Sequence, residues 1–329
     1  MVSAAFREEE PLSKKARSKK VDYAVYLVVR VLVFLVQIIP IFITIEIARF
    51  AGWVAYLLDK RHRKIARENL KYAFPDHSDA EIEALVLASF RHILMMAVES
   101  AVLVHRLNPK TVDKYVRHAD MKNFHRTLEW NQSERPVIYL TGHLGNWEVI
   151  SFGMAYHGIK ATVIGRALDN PYLDEYARGL RSATGMNMVD KDGAIDEVNR
   201  TMAEGGNLGV VCDQDAGPKG IFVEYFGRPA ATFKSIALLS LEHNAPILVV
   251  GCVRTGSPLK HLIFMEDEIL PEEYGDEPNA VRLITERYTA ALERIVRRYP
   301  DQYFWLHRRW KSEPRKRKKK PQTSVREAA

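Results

Sequence analysis

The sequence has little cysteine and lacks the fingerprints of nucleotide binding. Only Cys212 and Cys252 occur in 329 residues, both within or beside apolar runs that predict strands. Neither the CxxC spacing of metal sites nor the disulfide framework of secreted proteins is present, so we expect the folded part to face a reducing compartment. The chain also lacks a P-loop, a GxGxxG motif and internal repeats, which disfavours nucleotide binding and repeat architectures.

The net charge of +7 is concentrated near the two ends of the chain. Cations precede the first apolar segment, and an unbroken run of six cations extends from Arg315 to Lys320. Such runs bind anionic lipid headgroups or nucleic acid, or are merely solvated. We predict a basic N-terminal segment over residues 1–20 and a basic, disordered tail over residues 312–329.

A long apolar segment occupies residues 21–58 and is purest at 31–45. A membrane span needs about 20 apolar residues, and this stretch is too long for a cleaved signal peptide. Basic residues flank it on both sides, so the distribution of charge does not choose an orientation. A span, an interfacial helix and a re-entrant insertion all fit, and each predicts a membrane anchor.

The remainder predicts an α/β fold with a mostly parallel sheet flanked by helices and preceded by the N-terminal hydrophobic membrane helix. Helices are predicted at 60–72 and 78–107, the second starting with a capping box of Ser78 and Glu81. Strands are predicted at 136–140, 161–165, 186–189, 208–213, 246–254 and 261–269. Further helices are predicted at 146–157, 171–183, 194–203, 233–242 and 279–298.

The stretch Gly142-His143-Leu144-Gly145-Asn146-Trp147-Glu148 carries the clearest chemistry, because it follows a predicted strand and opens a predicted helix. A histidine can take a proton from a hydroxyl, and a carboxylate can orient it. His143 and Glu148 can meet only if the first lies in the turn and the second in the first helical turn. The zinc motif HExxH is absent, so no metal site is predicted. The alternative is a loop histidine beside a glutamate that merely complements the helix dipole.

The stretch from Gly142 to Glu148 resembles the HX4(D/E) motif of lysophospholipid-type acyltransferases, specifically the lipid A late (lauroyl/myristoyl) acyltransferase family. That family also contains the mycobacterial phosphatidylinositol mannoside acyltransferases. The resemblance extends over residues 69–311, and the tail beyond Trp310 lies outside it. Its further blocks are Asn69-Leu70 with Phe74-Pro75; Asn170-Pro171 with Asp174 and Arg181; Asp213-Gln214-Asp215 with Gly217, Phe222-Val223, Phe226-Gly227 and Ala230-Ala231-Thr232; and His307-Arg308-Arg309-Trp310.

The resemblance implies roles for individual residues. His143 would be the general base and Glu148 the residue that orients it, while Arg181 and Asp213 match positions required in relatives. Arg181 would hold a phosphate by bidentate contacts, and Asp213 would lock that arginine or a loop. Arg166, at a strand end, is a further candidate for phosphate binding. Asp215 would shape the site, and for all of the arginines and Asp213 the alternative is a structural salt bridge.

The expected function is therefore transfer of a fatty acyl chain to a hydroxyl of a glycolipid such as a lipid A precursor. The donor would be a thioester of acyl carrier protein or coenzyme A, with no other cofactor and no nucleic acid partner. The acyltransferase domain, residues 59–311, would face the cytoplasm from the bacterial inner membrane. Two alternatives stay open: an esterase using Ser151 with His143, and a non-catalytic membrane adaptor that binds anionic lipid or nucleic acid through its basic tail.

Overall fold

The computed structural model describes residues 18–183, 186–190, 193–275 and 277–314. The basic run from Arg315 to Lys320 and most of the basic N-terminal segment lie outside these residues.

The apolar segment forms two helices, α1 (Lys19–Ile38) and α2 (Ile41–Leu58), where the sequence suggested one anchor. The division falls at Pro40, since proline disfavours a helical conformation of the preceding residue, and Ile39 is extended (φ −74°, ψ 140°). Both helices are long and apolar enough to cross a membrane, and only 6% and 22% of their apolar windows are buried inside the protein. Large apolar side chains such as Phe34, Phe42 and Phe50 therefore face outward.

Two further helices connect this apolar pair to the rest of the chain, α3 (Lys60–Ala73) and α4 (Asp79–Arg106). The predicted capping box of Ser78 and Glu81 is present at the start of α4. α4 also meets the length and hydropathy of a membrane span, but 39% of its apolar window is buried inside the protein. α2 crosses α4 closely at Gly52, where a Cβ atom would lie 2.6 Å from Arg91 Cα. α4 thus lies between the outward-facing helices and the α/β domain.

A seven-stranded sheet forms the centre of the α/β domain, in the order β1-β9-β8-β2-β5-β3-β4. Its strands are β1 (Val116–His118), β2 (Ile138–Thr141), β3 (Ala161–Gly165), β4 (Asn187–Asp190), β5 (Asn207–Val211), β8 (Ile247–Arg254) and β9 (His261–Ile269); β6 (Ile221–Tyr225) and β7 (Arg228–Thr232) form a separate hairpin. All neighbours in the large sheet are parallel except β8 and β9. The predicted mostly parallel sheet is confirmed.

Helices cover both faces of this sheet. They are α5 (Val112–Tyr115), α6 (Met121–Gln132), α7 (Trp147–Tyr156), α8 (Pro171–Ser182), α9 (Ala194–Ala203), α10 (Ser235–Glu242) and α11 (Ala280–Arg298), with short 3-10 helices at Pro271–Glu273 and Pro300–Gln302. One apolar core joins the sheet to α3, α4, α9, α10 and α11, and a second lies under α7.

The predicted strands and helices are confirmed to within one or two residues at their ends, whereas several further elements were not predicted. These are α5, β1, α6 and the β6–β7 hairpin. β1 has only three residues, too few to show an alternating pattern. The hairpin turns at Phe226 and Gly227, both in the left-handed region (φ 53° and 70°). Of these two residues, only the glycine indicates a turn in the sequence.

Candidate active site

His143 lies in the turn between β2 and α7, as the sequence predicts. Two glycines make this turn possible. A Cβ atom on Gly142 would lie 2.9 Å from Asp213 Oδ2, and one on Gly145 would lie 1.7 Å from the Cys252 carbonyl oxygen. Gly145 also adopts φ +58°, which favours glycine. Asn146 then caps α7 by accepting a hydrogen bond from the Val149 amide.

Asp213 holds His143 from the neighbouring strand. Its Oδ1 accepts a hydrogen bond from His143 Nδ1 at 2.6 Å, and its Oδ2 accepts one from the His143 backbone amide at 2.7 Å. Thr141 and Val211, at the ends of β2 and β5, are paired in register, and the histidine and the aspartate each follow two residues later. The carboxyl ends of two adjacent parallel strands therefore bring these side chains together.

This contact defines the protonation of the pair. Burial alone would lower the pKa of His143, but the charge of Asp213 and its hydrogen bond outweigh burial and raise that pKa. Burial alone would raise the pKa of Asp213, but the charge of His143 and the hydrogen bonds from its ring and amide lower it. Because Nδ1–H donates to the carboxylate, the lone pair of the neutral ring lies on Nε2. Gln214 Nε2 lies 3.3 Å from that atom.

Glu148 does not orient His143, and this corrects the predicted pairing. It lies in the first turn of α7 as expected, but it binds the guanidinium of Arg181 on α8 through both carboxylate oxygens, one at 3.0 Å from Nε. His143 Nδ1 already donates its hydrogen bond to Asp213. Side chains of Glu148 and Arg181 are 20% and 28% exposed, so the pair is largely shielded from solvent. Arg181 is therefore bonded to Glu148, and Asp213 holds the turn that carries His143, the loop alternative of its expected role.

The other predicted residues surround this centre. Arg166 follows β3, is 75% exposed and pairs with Asp169 at 3.1 Å. Asp215 accepts hydrogen bonds from the amides of Gly217 and Ser312, so it shapes the loop as the resemblance implied. Ser151 lines the same cavity as His143, and its hydroxyl donates to the Trp147 carbonyl at 3.4 Å.

The C-terminal segment completes the site, which sequence reasoning did not anticipate. The amide of Phe304 donates to the His143 carbonyl, and Leu144 forms a bridge with Tyr303. Asn69 Nδ2 donates to the carbonyls of Trp305 and His307, at 2.8 and 2.7 Å. Asn69 and His307 belong to motifs that the sequence reveals. In the structure the hydrogen bonds between them and to Trp305 hold this segment against the turn that carries His143.

Helix α4 supports the turn from beneath. His92 Nε2 donates to the Gly145 carbonyl at 3.0 Å, and the Gly145 amide donates to the Gln302 carbonyl at 2.8 Å. Ser100 donates to the Asn146 side chain at 3.1 Å. These contacts hold the backbone that carries His143 in one conformation.

A cavity of about 470 Å³ opens beside His143, between α7 and the sheet. Its deeper walls are apolar; they include Tyr139, Met154, Ile159, Val163, Met186 and Gly209. Trp147, Glu148 and Arg181 lie among its more polar lining residues. In the described part of the chain, no group of three or more His, Cys, Asp or Glu side chains could hold a metal ion.

A carboxylate-held imidazole at the mouth of an apolar cavity defines a class of enzyme that removes a proton from a hydroxyl next to a hydrophobic substrate. Comparisons with known proteins specify this class. Residues 12–312 match the family model described as bacterial lipid A biosynthesis acyltransferase.

Curated relatives agree with that match. The chain is 26% identical over 259 residues to the lipid A biosynthesis palmitoleoyltransferase of Escherichia coli K12, covering 78% of this chain and 80% of that protein. It is 25% identical over 262 residues to lipid A biosynthesis acyltransferase 2 of Shigella flexneri (79% and 81% covered), and 23% identical over 267 residues to the E. coli K12 lauroyltransferase (80% and 83% covered). Among solved structures, the 1-acyl-sn-glycerophosphate acyltransferase PlsC of Thermotoga maritima matches with a TM-score of 0.33 at 13% identity, covering 76% of this chain and 95% of that one.

The chain belongs to the bacterial lipid A biosynthesis acyltransferase family. It is an acyltransferase, as the resemblance of its motifs predicted.

Proposed function

We propose that the protein transfers a fatty acyl chain from a thioester donor to a hydroxyl of a lipid A precursor, with His143 as the general base. The observation that carries this proposal is the His143–Asp213 pair at the mouth of the apolar cavity. The names of the relatives, which act in lipid A biosynthesis, support the acceptor class.

In the proposed reaction, His143 Nε2 takes the proton of the acceptor hydroxyl while the hydroxyl oxygen attacks the thioester carbonyl. Asp213 stabilises the imidazolium that forms, because its carboxylate lies 2.6 Å from Nδ1. The tetrahedral intermediate then expels the thiolate, which takes the proton back from the imidazolium. An ester and a free thiol result, and no covalent acyl-enzyme is needed.

The first amides of α7 are the proposed site of the developing oxyanion. The N–H groups of Trp147 and Glu148 come too early in the helix to donate to an intrahelical carbonyl. They also lie at the positive end of the helix dipole. Donors of this kind lower the barrier when they face the position where negative charge develops.

The apolar cavity is the proposed site of the donor's acyl chain. Tyr139, Gly209 and Val163 stand side by side across β2, β5 and β3, because Gly209 is in register with both neighbours. A Cβ atom on Gly209 would lie 3.2 Å from Val163, so the glycine keeps this part of the cavity open.

We propose separate roles for the two arginines. Arg181 fixes Glu148, and with it the start of α7, against α8. Arg166 is exposed at the cavity mouth and is the candidate contact for a phosphate of the acceptor or the donor. Whether acyl carrier protein or coenzyme A carries the chain does not change these roles, since both donors are anionic.

We also propose that α1 and α2 insert into the bacterial inner membrane with the catalytic domain on the cytoplasmic side. Their outward apolar faces support insertion. An acceptor that never leaves the bilayer would then meet the cavity at the membrane surface.

Mass spectrometry of membrane lipids from cells with the intact protein and with His143→Ala tests this function. We expect a lipid A precursor heavier by one acyl chain only with the intact protein, and its mass will identify the chain. Ser151→Ala should retain transfer, since its hydroxyl is bonded to a helix carbonyl. Normal transfer by His143→Ala would contradict the mechanism; loss in Ser151→Ala together with thioester hydrolysis would favour the esterase.

Removal of residues 315–329 separates the enzyme from the adaptor hypothesis. The described site ends before these residues, so we expect the truncated protein to retain acyl transfer. A cellular function that disappears with the tail while transfer persists would support the adaptor.

A further inference from the structure

A second cleft, of about 1030 Å³, lies apart from the His143 cavity. It is enclosed by α2 and α4 on one side and by the segments that follow β8 and α11 on the other. Its lining residues are not among those of the catalytic cavity. The cleft therefore sits between a helix with an outward apolar face and the polar catalytic domain.

One wall of the cleft is apolar and partly open. It includes Phe50 and Trp53 of α2, which are 64% and 39% exposed and whose rings lie 5.6 Å apart. Leu87 and Met95 of α4 continue this wall toward the interior. Aromatic side chains at such a boundary are typical of sites that contact the interfacial region of a bilayer.

Among the described residues that line the cleft, one cation and one anion lack an ion-pair partner, Arg91 on α4 and Asp301 on the opposite side. Arg49 is paired with Glu46 at 2.8 Å, and Arg254 is paired with the buried Glu99. Within the described ranges, Arg91 has no ion-pair partner and its buried Nε has no acceptor. Asp301, on the far side of the cleft, is exposed and likewise has no cation paired to it in the described part of the chain.

The floor of the cleft is connected to the catalytic turn. His92 and Gln302 line the cleft, and both hold Gly145, the first through the carbonyl and the second through the amide. Gly145 has no room to shift toward β8, since it packs against the Cys252 carbonyl. A molecule in the cleft would thus rest on His92 and Gln302, which position the backbone next to His143 through an imidazole and a backbone carbonyl, respectively.

We infer that this cleft binds a zwitterionic glycerophospholipid of the bilayer, with its acyl chains along α2 and α4, its phosphate on Arg91 and its ammonium on Asp301. The apolar wall matches the chains, and the two unpaired opposite charges match a headgroup that carries one phosphate and one amine. The inference rests on the membrane insertion proposed above but not on the acyl-transfer chemistry. The lipid is a structural partner and not the acceptor, because it lies behind the catalytic turn.

Fluorescence quenching in the full-length protein tests this site. The protein, in detergent micelles, is titrated with phosphatidylethanolamine or phosphatidylglycerol carrying brominated acyl chains, and Trp53→Phe identifies the signal of Trp53. We expect saturable quenching of Trp53 by phosphatidylethanolamine. Loss of the phosphate contact in Arg91→Gln should weaken this binding about tenfold, equivalent to roughly 1.4 kcal/mol.

Three controls separate the possible outcomes. Arg106→Gln removes an exposed arginine at the end of α4 and should bind like wild type. Asp301→Asn should weaken phosphatidylethanolamine binding and leave that of phosphatidylglycerol unchanged. His143→Ala should bind normally, so a failure of the proposed chemistry will not be mistaken for a failure of the lipid site.

Two results would overturn the inference. Quenching that is unsaturable, or equal in Arg91→Gln and Arg106→Gln, would show that Arg91 binds no headgroup. Equal affinity for the two lipids, unaffected by Asp301→Asn, would show that the amine is not recognised.

Discussion

Replacing Asp213 by asparagine tests which carboxylate serves His143. In the native protein one oxygen of Asp213 takes the His143 amide and the other takes Nδ1–H. An asparagine can satisfy the amide only with its carbonyl oxygen, which turns its NH₂ group toward Nδ1. The ring must then carry its proton on Nε2, the atom that should accept the proton of the hydroxyl.

The size of the loss follows from charge and from the tautomer. Two unit charges about 4 Å apart interact by about 4 kcal/mol at an effective dielectric constant of 20, which corresponds to nearly 10³-fold in rate. The wrong tautomer adds to this loss, and the same exchange in a Ser-His-Asp triad costs about 10⁴-fold in kcat. We therefore expect Asp213→Asn to reduce kcat between about 10³- and 10⁴-fold, with little change in KM.

The assay is the pH dependence of acyl transfer to a purified lipid A precursor in detergent. Asp213 raises the pKa of His143, so native activity should fall as the pH drops through a value above 6.5. In Asp213→Asn the residual activity should fall at a lower pH, because the histidine has lost the charge that favours its protonated form. Glu148→Gln should leave that midpoint in place. A shifted midpoint in Glu148→Gln and an unshifted one in Asp213→Asn would refute the pairing.

Further predictions concern four substitutions, of which Gly158→Ala is the matched control for Gly145→Ala. Glu148→Gln breaks the pair with Arg181 and should lower the free energy of unfolding by about 1–2 kcal/mol, measured by denaturant titration, because both side chains are largely shielded. Gly145→Ala should cost about 3–5 kcal/mol, since strain at φ +58° adds to overlap with the Cys252 carbonyl. Gly158→Ala, at φ +85° in open space, should cost only about 1–2 kcal/mol, and equal losses would contradict this reasoning. Gly209→Val should shift the preferred donor toward shorter acyl chains, as read by mass spectrometry of the product, and an unchanged preference would place the chain elsewhere.

The sequence predicts where the helices and strands of this fold lie along the chain better than it predicts which of them are adjacent in space. The predicted strands 136–140 and 208–213 place His143 and Asp213 near the same edge of a parallel sheet, and in the structure each follows its strand by two residues. Their direct contact also requires β2 to lie beside β5, and strand order is not visible in the spacing of residues. The sequence therefore indicates the nearby Glu148 as the partner, whereas in the structure Glu148 is bonded to Arg181 of α8.

Other parts of the site depend on contacts over long distances in the chain. Gln214 lies in a recognised motif, but only the fold brings its side chain near His143 Nε2. The close crossing of α2 and α4 at Gly52 is likewise not revealed by a single glycine in an apolar helix. The division at Pro40, by contrast, was open to prediction because proline restricts the residue before it.

The fastening of the catalytic turn by residues 302–304 has a consequence during synthesis of the protein. The His143 turn leaves the ribosome long before the segment that binds its backbone, and α1 leaves before both. The apolar helices are therefore available for insertion while the turn still lacks its C-terminal support. If α1 and α2 insert as proposed, a nascent chain reaches the bilayer before it can catalyse, and the active site is completed only at the membrane.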